Sequence, residues 1–412
     1  MRVAELFFIS LILVCLSLST LHAENEDVAI HGFISQGYLK TTRNNYIADS
    51  TDGTFQFNEM GLNFTTQPMD KLRIAAQFFA RDFGSVGNDQ IQIDYALADY
   101  RFTDYFGVRA GKLKNPMGLY SEYRDIDMLR TCIILPHSVY DETLRDSQTF
   151  LKGIGIYGDI NTTHLGSVSY QALAGTNNIA ADSATAIFLG SGVLKITSVD
   201  VDTTYSLALQ YADPTGHVKL GSTAFFTDLY FSGETIGNPL LPLKGMAIDG
   251  SVSNCEIYTG SVELTWNPFV LTWEMKRSKV RNAVYTSHDT GLVLVETPVD
   301  HFGEYVSLTY QMTSFLQAGV YFNEFYPYER DRNGDFTSPG IAKNYHWVKN
   351  WAFSLKWDIN PSWLLKLETQ YADGTASVPM VYNEFTYDDA GNVIDGAPRY
   401  WWLHAVKVSY NF

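Results

Sequence analysis

Residues 112–152 carry six cationic and six anionic side chains, whose types and spacing could do electrostatic chemistry. The cations are Lys112, Lys114, Arg124, Arg130, Arg145 and Lys152, and the anions are Glu122, Asp125, Asp127, Asp141, Glu142 and Asp146. Charged groups held close together can select or steer ions. They can also neutralise one another in ion pairs that fix a loop in place. The sequence leaves both interpretations open at this point.

The usual signatures of catalysis are missing from the sequence. The stretch "LGSGV", residues 189–193, lacks the spacing of the G-x-S-x-G turn that presents a nucleophilic serine. There is no His-Glu-x-x-His pair and no cluster of Cys and His that could bind zinc, and the nine histidines are scattered. We therefore expect no enzyme activity, no metal site and no cofactor.

Composition excludes further classes of protein. A formal net charge of −16 argues against nucleic-acid binding, which requires a basic surface. Hydrophobic residues make up 46% of the chain, yet no apolar run after the first is long enough for a membrane-spanning helix. Beyond that first run there are only Cys132 and Cys255, which form either one disulfide bridge or two free thiols.

The first residues resemble a secretory leader. Arg2 is followed by the apolar run "LFFISLILVCLSLS" and then by "TLHA". A charged start, a short apolar core and small residues at the end are typical of a signal peptide. We predict that residues 1–23 are cleaved after Ala23 and that residues 24–412 form a single domain.

From about residue 30 onward, apolar and polar residues alternate with a period of two. In "WLLKLETQY", residues 363–371, tryptophan and leucine alternate with lysine, glutamate and glutamine. The stretches "FVLTWEMKRS", "EYVSLTYQM" and "WVKNWAFSLKWD" repeat this pattern. A period of two predicts β-strands with one apolar and one polar face.

The connections between these strands sort into two lengths. Seven are tight turns, for example at Asn267-Pro268 and Asn360-Pro361. The eight long polar stretches are 42–54, 83–89, 114–150, 174–203, 232–252, 283–300, 327–345 and 375–398. Together they connect sixteen strands, the first at 30–41 and the last at 400–412. This is typical of an all-β transmembrane antiparallel barrel of the outer membrane, with short periplasmic turns and long extracellular loops. A soluble β-sandwich also alternates, but its connections would not sort by length.

Aromatic residues cluster at the two ends of the predicted strands. Beside the short turns and the carboxy terminus lie Trp266, Phe269, Trp357, Trp363, Tyr410 and Phe412. Near the opposite strand ends lie Trp347, Trp351, Tyr371 and Trp402. Two aromatic belts are typical of a barrel that crosses two membrane interfaces.

The stretch "GKLKNPMGLYSEYRDIDMLRTCIILPHSVYDETLRD", residues 111–146, resembles the third-loop region of a group of Gram-negative porins. The resemblance extends from "HGFISQGYL" to "VSYNF", and it is more distant to the phosphate-selective porins, whose arginine ladder has no counterpart here. It implies a sixteen-stranded porin, usually a homotrimer, whose third loop, here 114–150, folds into the lumen as the constriction. It also implies that Phe412 is part of the signal read by the barrel-assembly machinery.

The candidate constriction combines the loop with the barrel wall. Its candidate residues are Arg73, Arg81, Arg109, Lys112, Lys114, Glu122, Arg124, Asp125, Asp127 and Arg130. An acidic loop opposite a basic wall would create a transverse field, which is the interpretation we prefer. The alternative is that these charges pair and pin the loop to the wall, for example Arg124 with Asp125 or Asp127. In strict alternation Asp99 would face lipid, unless a bulge or the turn shifts the register.

These observations predict a passive diffusion channel for small hydrophilic solutes or ions in the outer membrane. Alternatives are a substrate-specific porin for anions or organic acids, and a non-conducting surface receptor or adhesin barrel. The acidic last loop, with Glu384, Asp388, Asp389 and Asp395, favours cations at the outer mouth. Expected partners are two further copies of the chain, outer-membrane lipids and lipopolysaccharide.

Overall fold

The computed structural model describes residues 28–412, except 85, 191–192, 239–240, 292, 336–341, 379–382, 384–385, 388–392 and 396. The predicted signal peptide therefore lies outside the described residues. Within them, no helix is long and apolar enough to cross a membrane.

Twenty strands are present among the described residues, and sixteen of them form a closed antiparallel ring. The ring consists of β1 (Ala29–Thr41), β2 (Asn58–Met69), β3 (Leu72–Asp82), β4 (Gln92–Thr103), β5 (Phe106–Lys114), β6 (Phe150–Thr162), β7 (Gly166–Thr176), β10 (Thr204–Ala212), β11 (Val218–Asn238), β12 (Leu241–Trp266), β13 (Phe269–Ser287), β14 (Val293–Gln311), β15 (Leu316–Tyr326), β16 (Val348–Asp358), β17 (Trp363–Gly374) and β20 (Tyr400–Asn411). Outside the ring lie β8 (Asn178–Ile179), β9 (Leu194–Val201), β18 (Thr386–Tyr387) and β19 (Val393–Asp395). The prediction of sixteen barrel strands is confirmed.

The last strand closes the ring onto the first. β20 pairs with β1 from Phe33 opposite Asn411 to Thr41 opposite Leu403. The backbone N–H of Gly32 then donates to the carbonyl of Phe412 at 3.0 Å, and the N–H of Phe412 donates back at 3.1 Å. Because lipid cannot hydrogen-bond an unpaired strand edge, this seam is what allows a sheet to sit in a membrane.

Polar side chains of the strands are buried inside the barrel while their apolar neighbours are exposed on the outer face, as β17 and β20 show. In β17 the side chain of Lys366 is completely buried, whereas its neighbour Leu367 is 42% exposed. In β20 Lys407 is 1% exposed and Val406 is 40% exposed. This inverted arrangement matches the alternation in the sequence and identifies the outer surface as the apolar one.

Asp99 illustrates how a bulge sets the facing of β4. The register between β3 and β4 shifts after Gln77, which pairs with Tyr95, while Phe78 pairs with Ile93. The extra residue, Asp94, turns the rest of the strand so that Asp99 points inward and is buried. The bulge therefore keeps this carboxylate out of the lipid. A bulge was one of the two register shifts that the sequence analysis allowed for Asp99.

Two of the eight predicted loops are strand instead. Residues 232–252 and 283–300 belong largely to the long hairpins β11–β12 and β13–β14, which continue to Asn238 and Ser287. The added length is supported by β9, which pairs with β11 along Leu229–Thr235. Apolar side chains around Leu229 and Phe231 pack there against the helix Ala184–Gly190. Strand segments outside the lipid do not need an apolar outer face and can be polar throughout. Their polar composition was therefore interpreted as that of loops.

One side of the barrel interior is filled by side chains. A buried apolar cluster joins loop residues Ile47, Ile133 and Val378 to wall residues Leu39 and Leu403. It lies beside β1, β16, β17 and β20. Open space inside the barrel is therefore confined to the remaining part of the cross-section.

Candidate functional site

Segment 115–149, called loop 3 below, crosses the barrel interior from β5 and contacts distant wall strands. The N–H of Leu119 donates to Oε1 of Glu274 in β13 at 2.8 Å. The N–H of Ile133 donates to Oε2 of Glu368 in β17 at 2.6 Å. These two contacts attach the loop backbone to wall strands far along the ring from β5.

Asp125 belongs to a buried ion-pair cluster near the start of the loop. Its carboxylate lies 2.6 Å from Nη1 of Arg145 and 3.0 Å from Nζ of Lys114. The same Lys114 ammonium contacts Asp94 of β4 at 2.9 Å. Burial alone would raise the pKa of Asp125, but Arg145 and Lys114 outweigh it and lower that pKa well below its usual range.

Asp127 attaches the loop to the barrel seam. Its carboxylate lies 2.9 Å from Nζ of Lys407, 3.3 Å from Nζ of Lys366 and 3.1 Å from Nη2 of Arg130. The hydroxyl of Ser409 donates to it at 2.7 Å. Burial would raise the pKa of Asp127, but Lys366 and Lys407 outweigh burial and lower it well below its usual range. Asp127 therefore stays anionic and buried.

Glu142 of loop 3 forms ion pairs with two arginines. It lies 2.8 Å from Nη1 of Arg81 in β3, and Nη2 of Arg124 forms a second ion pair with it. Burial would raise the pKa of Glu142, but Arg124 and Arg81 outweigh burial and lower the pKa to about 2. The pairing alternative named Asp125 or Asp127 as the partner of Arg124; the structure pairs Arg124 with Glu142 instead, and both of those carboxylates contact other cations.

Glu274 of β13 is a further attachment point that the sequence did not single out. The hydroxyls of Tyr140, Tyr305 and Ser261 donate to its carboxylate at 2.6, 2.5 and 2.6 Å, in addition to the N–H of Leu119. The Tyr140 hydroxyl also accepts from the N–H of Tyr120 at 2.9 Å. Its inward position was readable from the alternation in "FVLTWEMKRS", but its partners in loop 3 were not.

The cations that were predicted for the lumen wall either form ion pairs or lie on the outward register of their strand. Arg73 and Arg109 both contact Oδ2 of Asp99, at 3.1 and 3.2 Å. Lys112 lies on the outward register, opposite Ala96, with its ammonium 3.5 Å from the Phe150 ring centroid. Asp125 and Asp127 thus do not face these cations across open space, and the distances favour the pairing interpretation over the transverse field.

A cavity of about 610 Å³, called the passage below, lies between loop 3 and the wall strands β5–β7 and β10–β16. Its polar lining includes Gln171, Gln210, Thr309 and Gln317. Its charged lining residues are Arg109, Glu122, Arg130, Asp159, Lys219 and Glu263. Three of these were predicted, whereas Asp159, Lys219 and Glu263 were missed. The alternation in "GHVKLG" could have identified Lys219, because Leu220 beside it is exposed on the outer face.

Most of the lining charges are neutralised by a neighbour. Lys219 pairs with Glu263 at 2.9 Å, and Asp159 pairs with Arg101 at 2.5 Å. Arg109 and Arg130 pair with Asp99 and Asp127, as described above. Among the residues that the structure describes, Glu122 is the one lining charge without an ion pair within 4.0 Å. Its nearest hydrogen-bond donor is the Gln171 amide, at 3.5 Å.

The predicted aromatic belt residues lie at the short-turn end of the strands. Trp266, Trp357, Trp363 and Phe412 are exposed large side chains, and the Phe269 ring stacks on Tyr310 with centroids 4.8 Å apart. Trp363 lies against Tyr410, also at 4.8 Å. Cys132 and Cys255 are both free thiols, so the disulfide alternative is not formed.

Comparison with known proteins gives likeness in structure but not in sequence. No family model matches the chain, and no curated protein matches its sequence. The trimer form of OmpT, an outer-membrane protein of Vibrio cholerae, has a TM-score of 0.54 at 9% identity, covering 94% of this chain and 100% of that chain. An anion-selective porin from Comamonas acidovorans has a TM-score of 0.54 at 10% identity, with the same coverage.

A third structure is the outer-membrane channel DcaP of Acinetobacter baumannii. Its TM-score is 0.53 at 9% identity, and the match covers 95% of this chain and 99% of that chain. At such low identity the likeness concerns the fold alone. Since the matches span nearly the whole length of both chains and the ring has sixteen strands, this chain has the β-barrel fold of outer-membrane porins.

Proposed function

We propose that this protein is a passive diffusion channel for small hydrophilic solutes and ions across the outer membrane. The observation that supports the proposal is the passage of about 610 Å³ beside loop 3, with its mixed polar and charged lining. Sixteen-stranded barrels are wide enough to leave an aqueous channel. Amides and hydroxyls such as those of Gln171, Gln210 and Thr309 can replace part of a solute's hydration shell.

Loop 3 is the constriction of this channel. It is attached to the wall through Asp125, Asp127, Glu142, Glu274 and Glu368, which interact with different parts of the loop. Buried carboxylates with several donors each hold their partners in a defined geometry. The width of the passage is therefore set by a fixed loop rather than by a mobile one.

The channel prefers cations. Glu122 contributes the unpaired charge of the passage, within the part of the chain that the structure describes. The formal net charge of −16 adds a negative potential around the barrel, which concentrates cations near it. Anion selectivity, which the Comamonas acidovorans protein has by its description, is not expected for this chain.

The channel is a homotrimer. The resemblance to trimeric porins and the trimer form of the Vibrio cholerae protein support this assembly. A further support is a group of small outward side chains on adjacent strands, with Ala76 opposite Ala96 and Ala98 opposite Ala110. Small side chains let flat sheet surfaces approach closely. Contacts of the barrel with lipopolysaccharide, and of Phe412 with the barrel-assembly machinery, remain predictions.

Liposome swelling tests passive diffusion directly. Purified protein is reconstituted into liposomes, which are then diluted into isotonic arabinose, glucose or raffinose. We expect swelling that is fastest for the pentose and slowest for the trisaccharide, because the fixed loop limits size. The control is the same protein unfolded by heat before reconstitution. Swelling no faster than that control with every sugar would overturn the proposal.

A further inference from the structure

A second cavity, of about 260 Å³, lies on the side of loop 3 that faces the long loops. Six of the eight long connections line it, together with the outer ends of β14 and β15. It is called the outer cavity below. A solute that approaches loop 3 from the long-loop end reaches this cavity before it reaches the polar passage.

The walls of the outer cavity differ in chemistry from those of the passage. Aromatic side chains from separate loops and from β15 converge on it, namely Tyr46, Phe83, Phe188, Phe325 and Tyr345. Aliphatic side chains, among them Ile187 and Val378, fill the gaps between them. Water in such a space has few hydrogen-bonding partners, so an apolar body displaces it favourably.

Polar groups line the cavity from β3, loop 3, β14 and the last long connection, and among its charged side chains Asp141 has the weakest ion pair. Glu142 is paired with Arg81 and Arg124. Oδ1 of Asp141 accepts from the N–H and hydroxyl of Thr143 at 2.8 and 2.6 Å. Its Oδ2 has a weaker contact, 3.6 Å from Nε2 of His137.

The aromatic wall continues up to this carboxylate. The Phe325 ring lies 5.1 Å from the His137 ring and 5.7 Å from the His301 ring, centroid to centroid. An apolar body and a positive charge can therefore be accommodated side by side. Aromatic faces also attract cations through their ring quadrupole.

We propose that the outer cavity binds a small organic cation with an aromatic body, an arylalkylammonium ion. Its ring packs between the aromatic side chains, and its ammonium group donates to Oδ2 of Asp141. Pockets for drug-sized ligands measure about 300–1,000 Å³. At about 260 Å³, this cavity fits one ring with a short chain. Such a site would raise the local concentration of these cations above loop 3.

Isothermal titration calorimetry on the full chain in lipid nanodiscs tests the proposal. The probe is 2-phenylethylammonium, and its two controls are butylammonium, which lacks the ring, and 3-phenylpropionate, which reverses the charge. We expect 2-phenylethylammonium to bind at least tenfold more tightly than either control. Equal affinity for 3-phenylpropionate would show that Asp141 does not attract the ligand and would overturn the proposal.

Two pairs of variants locate the binding. Asp141→Asn keeps the acceptor for Thr143 and removes the charge, and Phe188→Ser shortens an exposed wall residue. Both are expected to weaken binding at least tenfold. The controls are Asp335→Asn and Phe55→Ser, which change an exposed acid and an exposed ring outside the cavity.

Unchanged binding in both cavity variants, or equal loss in the control variants, would overturn the proposed site. Calorimetry needs no current, so the result is independent of the channel function. A conducting protein that does not bind the probe contradicts this inference alone. A protein that binds the probe and does not conduct contradicts the diffusion channel alone.

Discussion

At the residue scale, Glu122 is the position where a charge without an ion-pair partner among the described residues lines the passage. A unit charge about 6 Å from a permeating ion in water interacts with it by about 0.7 kcal/mol, a factor of about three. Because the same charge attracts cations and repels anions, Glu122→Gln is expected to lower the cation-to-anion permeability ratio about tenfold. The measurement is the reversal potential in a salt gradient across a planar bilayer.

The matched control for Glu122 is Asp289→Asn, which removes an exposed acid at the turn between β13 and β14. It should leave the reversal potential unchanged. If both variants shift the potential equally, selectivity comes from the overall charge of the protein and not from the passage.

Removing the Tyr140 hydroxyl tests how loop 3 is attached to the wall by a change of one atom. Tyr140→Phe removes one donor to Glu274 and leaves the N–H of Tyr120 without its acceptor. Leaving a buried polar group unsatisfied costs about 1–3 kcal/mol. We expect more frequent brief closures in single-channel records and a lower unfolding temperature. Tyr310→Phe, on the outer surface, is the control, and identical records from the two variants would contradict the attachment.

At this scale the sequence predicted residue types better than partners. Glu122 and Arg130 were identified as candidates, and both line the passage. The pairing of Arg124 with Glu142 was not predictable, because it depends on how loop 3 folds back on itself. The facing of Asp99 depends on one extra residue in β4, and alternation alone cannot say where a strand bulges.

At the scale of the element, loop 3 should respond to acid through Glu142. The pKa of Glu142 is lowered to about 2 in the folded protein, against about 4.3 for a free glutamate. The stabilisation by this ion pair is thus fully present above pH 4.3 or so and is lost as the pH falls through about 2. We expect the difference in closure frequency between the wild type and Glu142→Gln to stay constant from pH 7 to pH 5. It should then vanish as the pH approaches 2.

Planar-bilayer recording of both proteins across this pH range provides the measurement. A difference that already disappears between pH 7 and pH 5 would mean that the carboxyl titrates near or above its ordinary pKa. The two arginines would then not hold it as an anion.

The elements themselves were largely predictable. Strands of alternating polarity and turns rich in Asn, Asp, Pro and Gly gave boundaries such as β1 at 30–41 and β20 at 400–412, close to the observed Ala29–Thr41 and Tyr400–Asn411. The outer halves of β11–β14 were missed, since β11 pairs there with β9 and packs against the helix Ala184–Gly190. Those contacts join segments far apart in the sequence and leave no local periodic pattern.

At the scale of the whole molecule, closure of the ring determines whether the barrel exists. Removing residues 400–412 would leave β1 and β17 with unpaired edges, which lipid does not tolerate. We expect this truncation to abolish the folded form that migrates differently on a denaturing gel before and after boiling. Phe412→Ala retains the backbone hydrogen bonds to Gly32 and is expected to keep that form. A truncated chain that still shifts on boiling would contradict the role of the seam.

The sequence predicted the closed barrel because strand number, turn length and facing are all repeated along the chain. It did not predict that one side of the lumen is filled by Ile47, Ile133, Val378 and their neighbours, which come from three separate loops. Nor did it predict the outer cavity, whose aromatic walls are likewise assembled from distant segments. Features made by several loops at once are beyond patterns of local alternation.

The most direct measurement is single-channel recording of the purified wild-type protein in a planar bilayer with a salt gradient. If the protein is a trimeric diffusion channel, each insertion should raise the conductance in three equal steps. The reversal potential should have the sign expected for a channel that prefers cations. Folded protein that inserts without any conductance would contradict the account, and a non-conducting surface receptor barrel would replace it.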